Sequence, residues 1–407
     1  MSDCPNIKFP IGKEFRGWVV EKNLNEGGFG QVYVVRSRKD GSRAALKAES
    51  NSIDGGSAVK LEIKVLRALN SDGEKPHVPV YYAAAKHKKY CYMVMTLLGP
   101  NLKDLKAPLK GENFTPSTWL RLGIQCLYAL KILHDKGFVH RDIKPNNFVM
   151  GGADDPVRSR CVHILDFGLS RGFAFKVKGR WVARWARGSA QFRGTVRYCS
   201  PNVHDEIEQG RRDDIWALFF VLIECHCGLP WQTLRDKNKL ITMKCNMKDE
   251  HVMQNMPREF ANVLQELRKL DCYSRPDYYT IYRCFVACLH RKGITNDEPY
   301  DWETDKSKIL KSPKPPLWTD AAAFFKSDPI SIHVAPDNKD QDLVMGLDKD
   351  YEEKEVASRA SAMAAVKAAE KNKNVKDNKN KGVSKEDKAN SERTDRDTLT
   401  NSQSTKD

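Results

Sequence analysis

Between positions 18 and 50 the chain alternates short apolar runs with polar turns. Apolar residues gather at 18–20, 32–35 and 44–48, separated by a glycine-bearing turn and by a polar turn at 39–41. Runs of this length bounded by glycine and charge predict an antiparallel β-meander. Residues 59–69 read as a helix. Beyond position 115 the period changes: Leu120, Ile124, Leu127 and Leu130 recur every three or four residues, with Thr115 as N-cap, Pro116 as first helical residue and Gly137 as stop. That predicts an amphipathic helix over 116–134. Residues 213–227 are apolar on nearly every side, which predicts a helix buried at the centre of a helical domain. A small β-rich lobe thus precedes a larger helical one, and the fold class is α+β.

With 407 residues, 40% of them hydrophobic and 9% aromatic, the chain has material for a sizeable core and is neither collagen-like nor wholly disordered. The apolar run that includes 216–223 stops at Glu224, far short of the ~20 residues that span a bilayer. Asp3, Pro5, Lys8, Pro10 and Glu14 interrupt the first twenty residues, so no secretory leader is expected. The expected location is the cytoplasm, with the nucleus also open. Eleven cysteines in such a chain read as reduced thiols. Cys225 and Cys227 flank His226, a tempting metal pattern, but they lie in the apolar run and read as structural.

The net charge of +15 is unevenly placed. Residues 350–407 hold 13 basic and 12 acidic residues, so the excess belongs to residues 1–349. That tail has one aromatic, Tyr351, and too little apolar surface to offset the entropy of ordering, so it reads as disordered, with a transient helix among its alanines. Pro313, Pro315 and Pro316 mark residues 303–349 as an extended linker.

Candidate chemistry begins at Asn25, Glu26, Gly27, Gly28, Phe29 and Gly30, which lie between two predicted strands and precede Val32. Glycines there let backbone N–H groups approach phosphate oxygens, although a plain hairpin also needs them. Lys47 ends an otherwise apolar strand, and a buried ammonium needs a counter-charge that Glu62 can supply; a surface pair is the ordinary alternative. The stronger signal is His140-Arg141-Asp142-Ile143-Lys144-Pro145-Asn146-Asn147, followed by Asp166-Phe167-Gly168. Asp142 can accept a hydroxyl proton, Lys144 can neutralise a transferring phosphoryl group, and Asn147 and Asp166 offer hard oxygens for Mg²⁺.

In these motifs the chain resembles the eukaryotic protein kinases over residues 15–302. It resembles the casein kinase I superfamily in Leu97-Leu98-Gly99-Pro100-Asn101-Leu102, in Gly194-Thr195-Val196-Arg197-Tyr198-Cys199-Ser200 and in Arg211-Arg212-Asp213-Asp214. Val196 and Asp214-Ile215-Trp216 are most similar to the tau-tubulin kinase branch. The resemblance implies a bilobal protein kinase fold. An extension, 1–14, would precede an N-lobe, 15–95, and a C-lobe, 96–302. It makes ATP and Mg²⁺ the cofactors and Gly27 and Gly30 phosphate-loop residues. Lys47 becomes the phosphate lysine paired with Glu62, Met95 the gatekeeper, and the backbone from Thr96 to Leu98 the adenine holder. Asp142 becomes the proton acceptor, Asp214 the anchor of the catalytic loop, and Thr195 a contact of Asp142 and Lys144.

Three positions depart from the pattern. Asn25 replaces the first loop glycine, Thr96 stands where casein kinase I members carry Glu, and the Ala-Pro-Glu motif is missing, although Arg275 occupies the place of its usual partner. From Phe167 to His204 there is no acidic residue, while eight Lys and Arg are present, Arg197 among them. Such a segment favours acidic or phosphorylated protein substrates, with tubulin-like or cytoskeletal proteins as candidates; a solvated charged loop is the plain alternative. In the superfamily the position of Arg197 helps bind a substrate anion. Trp181 and Trp185 interleave with the arginines, yet no nucleic-acid module is recognisable and no membrane partner is expected. The expected activity is that of a non-specific serine/threonine protein kinase. The alternative is a catalytically weak kinase-fold scaffold that binds acidic proteins or nucleic acid.

Overall fold

In the computed structural model of the chain, the structure describes residues 8–27, 30–51, 58–109, 113–305, 309 and 318–335. The tail expected to be disordered, 350–407, lies outside the described residues. The N-terminal lobe is a six-stranded antiparallel sheet of β1 (Glu14–Phe15), β2 (Trp18–Gly27), β3 (Gly30–Ser37), β4 (Arg43–Ser50), β5 (Tyr81–Lys86) and β6 (Tyr90–Thr96), in the order β1-β2-β3-β4-β6-β5, with α1 (Ala58–Leu69) between β4 and β5. The three strands of the expected meander are β2, β3 and β4.

The period-2 alternation of β4 sorts its side chains onto two faces. Ala44, Leu46 and Ala48 join Phe15, Val20, Tyr33, Val35, Tyr92 and Val94 in an outer cluster. Phe9, in the N-terminal extension, closes that cluster by edge contact with Phe15, their ring centroids 4.7 Å apart. Lys47 lies opposite Val32 and Met93, and Ala45 opposite Met95. Directly opposed residues share a face. Val32, Ala45, Lys47, Met93 and Met95 therefore form one surface, turned toward the main core, where Ala45, Met93 and Met95 are buried in one cluster with Met150 and Phe167.

The chain then runs through β7 (Leu98–Asn101) and α2 (Leu102–Lys106) into α3 (Pro116–His134). Thr115 caps α3, its hydroxyl accepting from the Thr118 N–H, and Pro116 opens the first turn, as the sequence predicts. Next come β8 (Phe138–Val139), β9 (Phe148–Gly151), β10 (Val162–Ile164), β11 (Arg171–Gly172), and a hairpin of β12 (Ala174–Val177) and β13 (Arg180–Ala183). The remaining helices are α4 (Pro201–His204), α5 (Arg211–His226), α6 (Lys237–Asn246), α7 (Asp249–Met253), α8 (Val263–Arg268), α9 (Tyr278–Arg291) and α10 (Ala321–Lys326). Every residue of α5 from Arg211 to Cys225 is buried, which is why its sequence shows no polar face. Cys225 belongs to this core.

One segment differs from the sequence expectation. Within the stretch expected to be a linker, residues 318–335 pack against the helical lobe: Phe325 is fully buried, and Arg275 donates to the carbonyls of Phe325 and Ser327, each at 2.9 Å. The prolines that suggested an extended chain all precede it.

Candidate active site

The floor of the site is the turn that follows β8. Asp214, projecting from the first turn of α5, accepts from the N–H groups of His140 (2.6 Å) and Arg141 (2.9 Å) and faces Nε2 of His134 at 2.9 Å. Burial alone would push its carboxyl up, but these donors hold it below the ordinary aspartate range. Arg141 thereby keeps a left-handed backbone, φ 68°, and Asp166 has φ 66°. Such conformations cost roughly 1–3 kcal/mol each and persist where surrounding contacts over-determine them. Those contacts are present: Nε2 of His140 lies 2.9 Å from the Leu165 carbonyl, and Arg141 Nε donates to the Leu169 carbonyl at 2.7 Å. The two turns are therefore clamped to each other.

Asp142 sits in this frame nearly buried, and both of its oxygens are occupied. Oδ1 accepts from the Thr195 hydroxyl at 2.7 Å and Oδ2 from Lys144 Nζ at 2.5 Å. Thr195 follows Gly194, whose φ of +117° brings the chain so close that a Cβ would stand 2.5 Å from the Arg141 carbonyl oxygen. Asn147 donates from its amide nitrogen to the Asp142 carbonyl at 2.9 Å, which leaves its amide oxygen as the atom fit for a metal.

The roof carries the second half of the chemistry. Lys47 Nζ pairs with Glu62, on the buried side of α1, and lies 3.4 Å from Asp166 Oδ1. Burial opposes the ammonium, yet Glu62 and Asp166 more than offset it and hold Lys47 above the ordinary lysine range. Burial likewise opposes the Asp166 carboxylate, while Lys47, His140 and Lys144 pull it below the ordinary range, so it is ionised at neutral pH. With 40% of its side chain exposed, it is a hard anionic ligand open to the cleft. Asp166 and the Asn147 oxygen therefore fit a Mg²⁺ ion.

Met95 and Thr96 end β6, both buried. The Thr96 hydroxyl accepts from the Val80 N–H at 2.8 Å, turning that side chain into the lobe and leaving the backbone from Thr96 to Leu98 as the strip that joins the lobes. Asn25, Glu26 and Gly27 lie on β2; Gly28 and Phe29 lie outside the described residues. Gly30 has φ +130°, and a Cβ there would meet the Ala48 carbonyl oxygen at 2.5 Å, so no other residue closes this hairpin without shifting β4.

The basic segment is only partly a solvated surface. Lys176, Lys178 and Arg180 are exposed around the hairpin tip. Arg184 is buried, with its guanidinium 5.3 Å from the Phe175 ring centroid. Arg187 pairs doubly with Glu208, at 2.7 and 3.0 Å, and Arg171 approaches the same carboxylate at 3.5 Å. Burial pushes Glu208 up, but Arg187 and Arg171 hold it low. Arg197 faces Glu224 at 3.1 Å and donates to the Gln232 carbonyl at 3.0 Å, about a third of its side chain remaining exposed. Sequence reasoning missed Glu208 and Glu224 as partners of this segment. Glu206 and Glu208 do follow the acid-free stretch directly, a signal that its charge is answered just downstream.

A lysine–carboxylate pair above, a metal-fitted carboxylate and amide between, and a doubly held aspartate below thus meet in one cleft. The description "Protein kinase domain" matches residues 18–284, and the chain belongs to the protein kinase family. Among its relatives is a protein of Caenorhabditis elegans named an inactive tau-tubulin kinase, 40% identical over 70% of this chain and the whole of that protein. A putative serine/threonine-protein kinase of the same organism is 38% identical over 73% of this chain and 84% of its own length. A probable serine/threonine-protein kinase of Dictyostelium discoideum is 35% identical over 73% of this chain and 59% of its own length. No helix among the described residues is long and apolar enough to cross a membrane.

Proposed function

We propose that the chain is an active serine/threonine protein kinase of the casein kinase I superfamily, transferring the γ-phosphoryl group of Mg-ATP to protein hydroxyls. The observation that carries this is the contact set of Asp142, held by Thr195 and Lys144 in a turn that Asp214 fixes from the core. Mg-ATP supplies the phosphoryl group and its neutralising charge. Lys47, steadied by Glu62, would orient the phosphates, and Asp166 and Asn147 would hold the metal. Asp142 orients the substrate hydroxyl and takes up its proton, while Lys144 offsets charge developing on the transferring group. Catalysis here is positioning and electrostatic stabilisation.

The exposed cations Lys176, Lys178 and Arg180 support acidic proteins as substrates, and the tau-tubulin kinase name of one relative makes cytoskeletal proteins the first to try. Arg197 would serve a substrate anion only in competition with Glu224. A second reading, a kinase-fold scaffold for acidic proteins, draws on Asn25 in the phosphate loop and on the relative named inactive. Transfer of labelled phosphate to an acidic protein, with and without prior phosphorylation, separates the two. The kinase reading expects transfer that Asp166→Asn lowers by at least ~10²-fold. Transfer that survives in that variant contradicts the role given to Asp166, and none in the parent chain favours the scaffold.

A further inference from the structure

Residues 318–335 lie beyond the region matched by the kinase family, yet their contacts reach from the back of the helical lobe to the basic segment. The first half is an aromatic anchor. Trp318 stacks on His77 and donates from its indole nitrogen to His77 Nε2 at 3.0 Å, and Phe325 of α10 packs on Tyr128 and Tyr282, with centroids 4.4 and 4.7 Å apart. Arg275 clamps the end of α10 through two carbonyls. A compact turn follows, in which Asp328 accepts from the Ser331 N–H at 3.1 Å and pairs with His333 at 2.9 Å.

That turn presents Ile330 and Ile332, both nearly buried, to Ala174 and Ala183. These two alanines are direct partners across the β12–β13 hairpin and so share one face. Trp181 and Phe173 complete the same cluster. Arg211, at the start of α5, ties the end of the segment down by donating to the Ile332 carbonyl, and its guanidinium lies 4.8 Å from the Phe173 ring centroid.

A two-stranded hairpin alone is marginal in water and needs one face packed. This hairpin carries the exposed cations. At its base it bonds to the turn after α3, Phe173 N–H donating to the Gly137 carbonyl at 2.8 Å, and the isoleucines cover its face.

We propose that residues 318–335 are a strap that positions the β12–β13 hairpin, with Ile330 and Ile332 as positioning residues for docking of the protein substrate. The docking part rests on the kinase reading; the strap part does not. The small alanines on the hairpin make room for the two isoleucines, whose cluster is separate from the main core. The pair can therefore be truncated without emptying that core.

The test is hydrogen–deuterium exchange on the full chain carrying Ile330→Ala and Ile332→Ala together, with Asp328→Ala as a second variant that loosens the presenting turn and its 3.8 Å ion pair with Arg275. Amides of 174–183 should exchange at least roughly tenfold faster, with those of α3 unchanged. The KM for the protein substrate should rise while that for ATP stays put. Unchanged exchange over 174–183 in both variants overturns the strap. The exchange result decides it even if the parent chain transfers no phosphate, because that failure bears on the kinase reading alone.

Discussion

The catalytic turn and the β12–β13 hairpin lie close in sequence but are held by opposite means. The turn is fixed from inside: Asp214 reaches out of a fully buried helix and ties two consecutive backbone N–H groups. The hairpin is fixed from outside, by the strap on one face and by the Glu208 ion pairs beyond its base. Interior polar anchors have no water to replace them when removed, whereas surface-facing supports loosen without collapsing the core. On the proposed reading, the difference places rigidity under the chemistry and adjustability under the substrate.

The sharpest way to break this contrast is Asp214→Asn. The amide cannot satisfy two N–H donors and His134 together, so stability should fall by roughly 3 kcal/mol in urea unfolding and transfer should fall with it. A loss below ~1 kcal/mol would mean that the turn is not held from the interior. Glu208→Gln comes next. It leaves Arg187 and Arg171 without their counter-charge, and should cost about 2 kcal/mol and raise protein-substrate KM more than it lowers kcat. An equal effect on kcat alone would move Glu208 from the outer support to the floor.

A pH-dependent effect concerns His77, buried between Tyr128 and Trp318. Burial pulls its pKa down to about 3, against about 6.5 in the unfolded chain. The unfolded state thus binds the proton first as pH falls, so this residue's contribution to stability is whole above about 6.5 and declines toward pH 3. His77→Asn should flatten the pH dependence of the unfolding free energy in urea between pH 6.5 and 4.5, by at most ~1.4 kcal/mol per pH unit. An unchanged slope would show that the strap's anchor residue is not buried in the neutral form.

The same contrast explains what the sequence makes legible. Catalytic chemistry needs particular residue types at fixed spacing, so Lys47, Asp142, Asn147 and Asp166 stand out in one chain, and the structure brings all four to one cleft. The meander, α3 and α5 are legible because period, cap and breaker agree. The strap is not. Its helix has only six residues, too few for a period, and its anchors, His77, Arg211 and Arg275, are distant in sequence. Glu208 and Glu224 escape for a related reason: an ion pair formed across a fold leaves no spacing rule. The eight cations between Phe167 and His204 suggest a face for acidic substrates, and Arg171, Arg184 and Arg187 among them are engaged in packing that segment.

The most direct test of the account is single-turnover phosphate transfer from Mg-ATP to a serine-bearing acidic protein, comparing the parent chain with Asp142→Asn at matched thermal stability. The account predicts transfer in the parent and a fall of about 10²- to 10⁴-fold in the variant, the range a positioned general base contributes. Equal transfer in both, with the variant folded, would contradict the assignment of Asp142 and with it the catalytic floor described above.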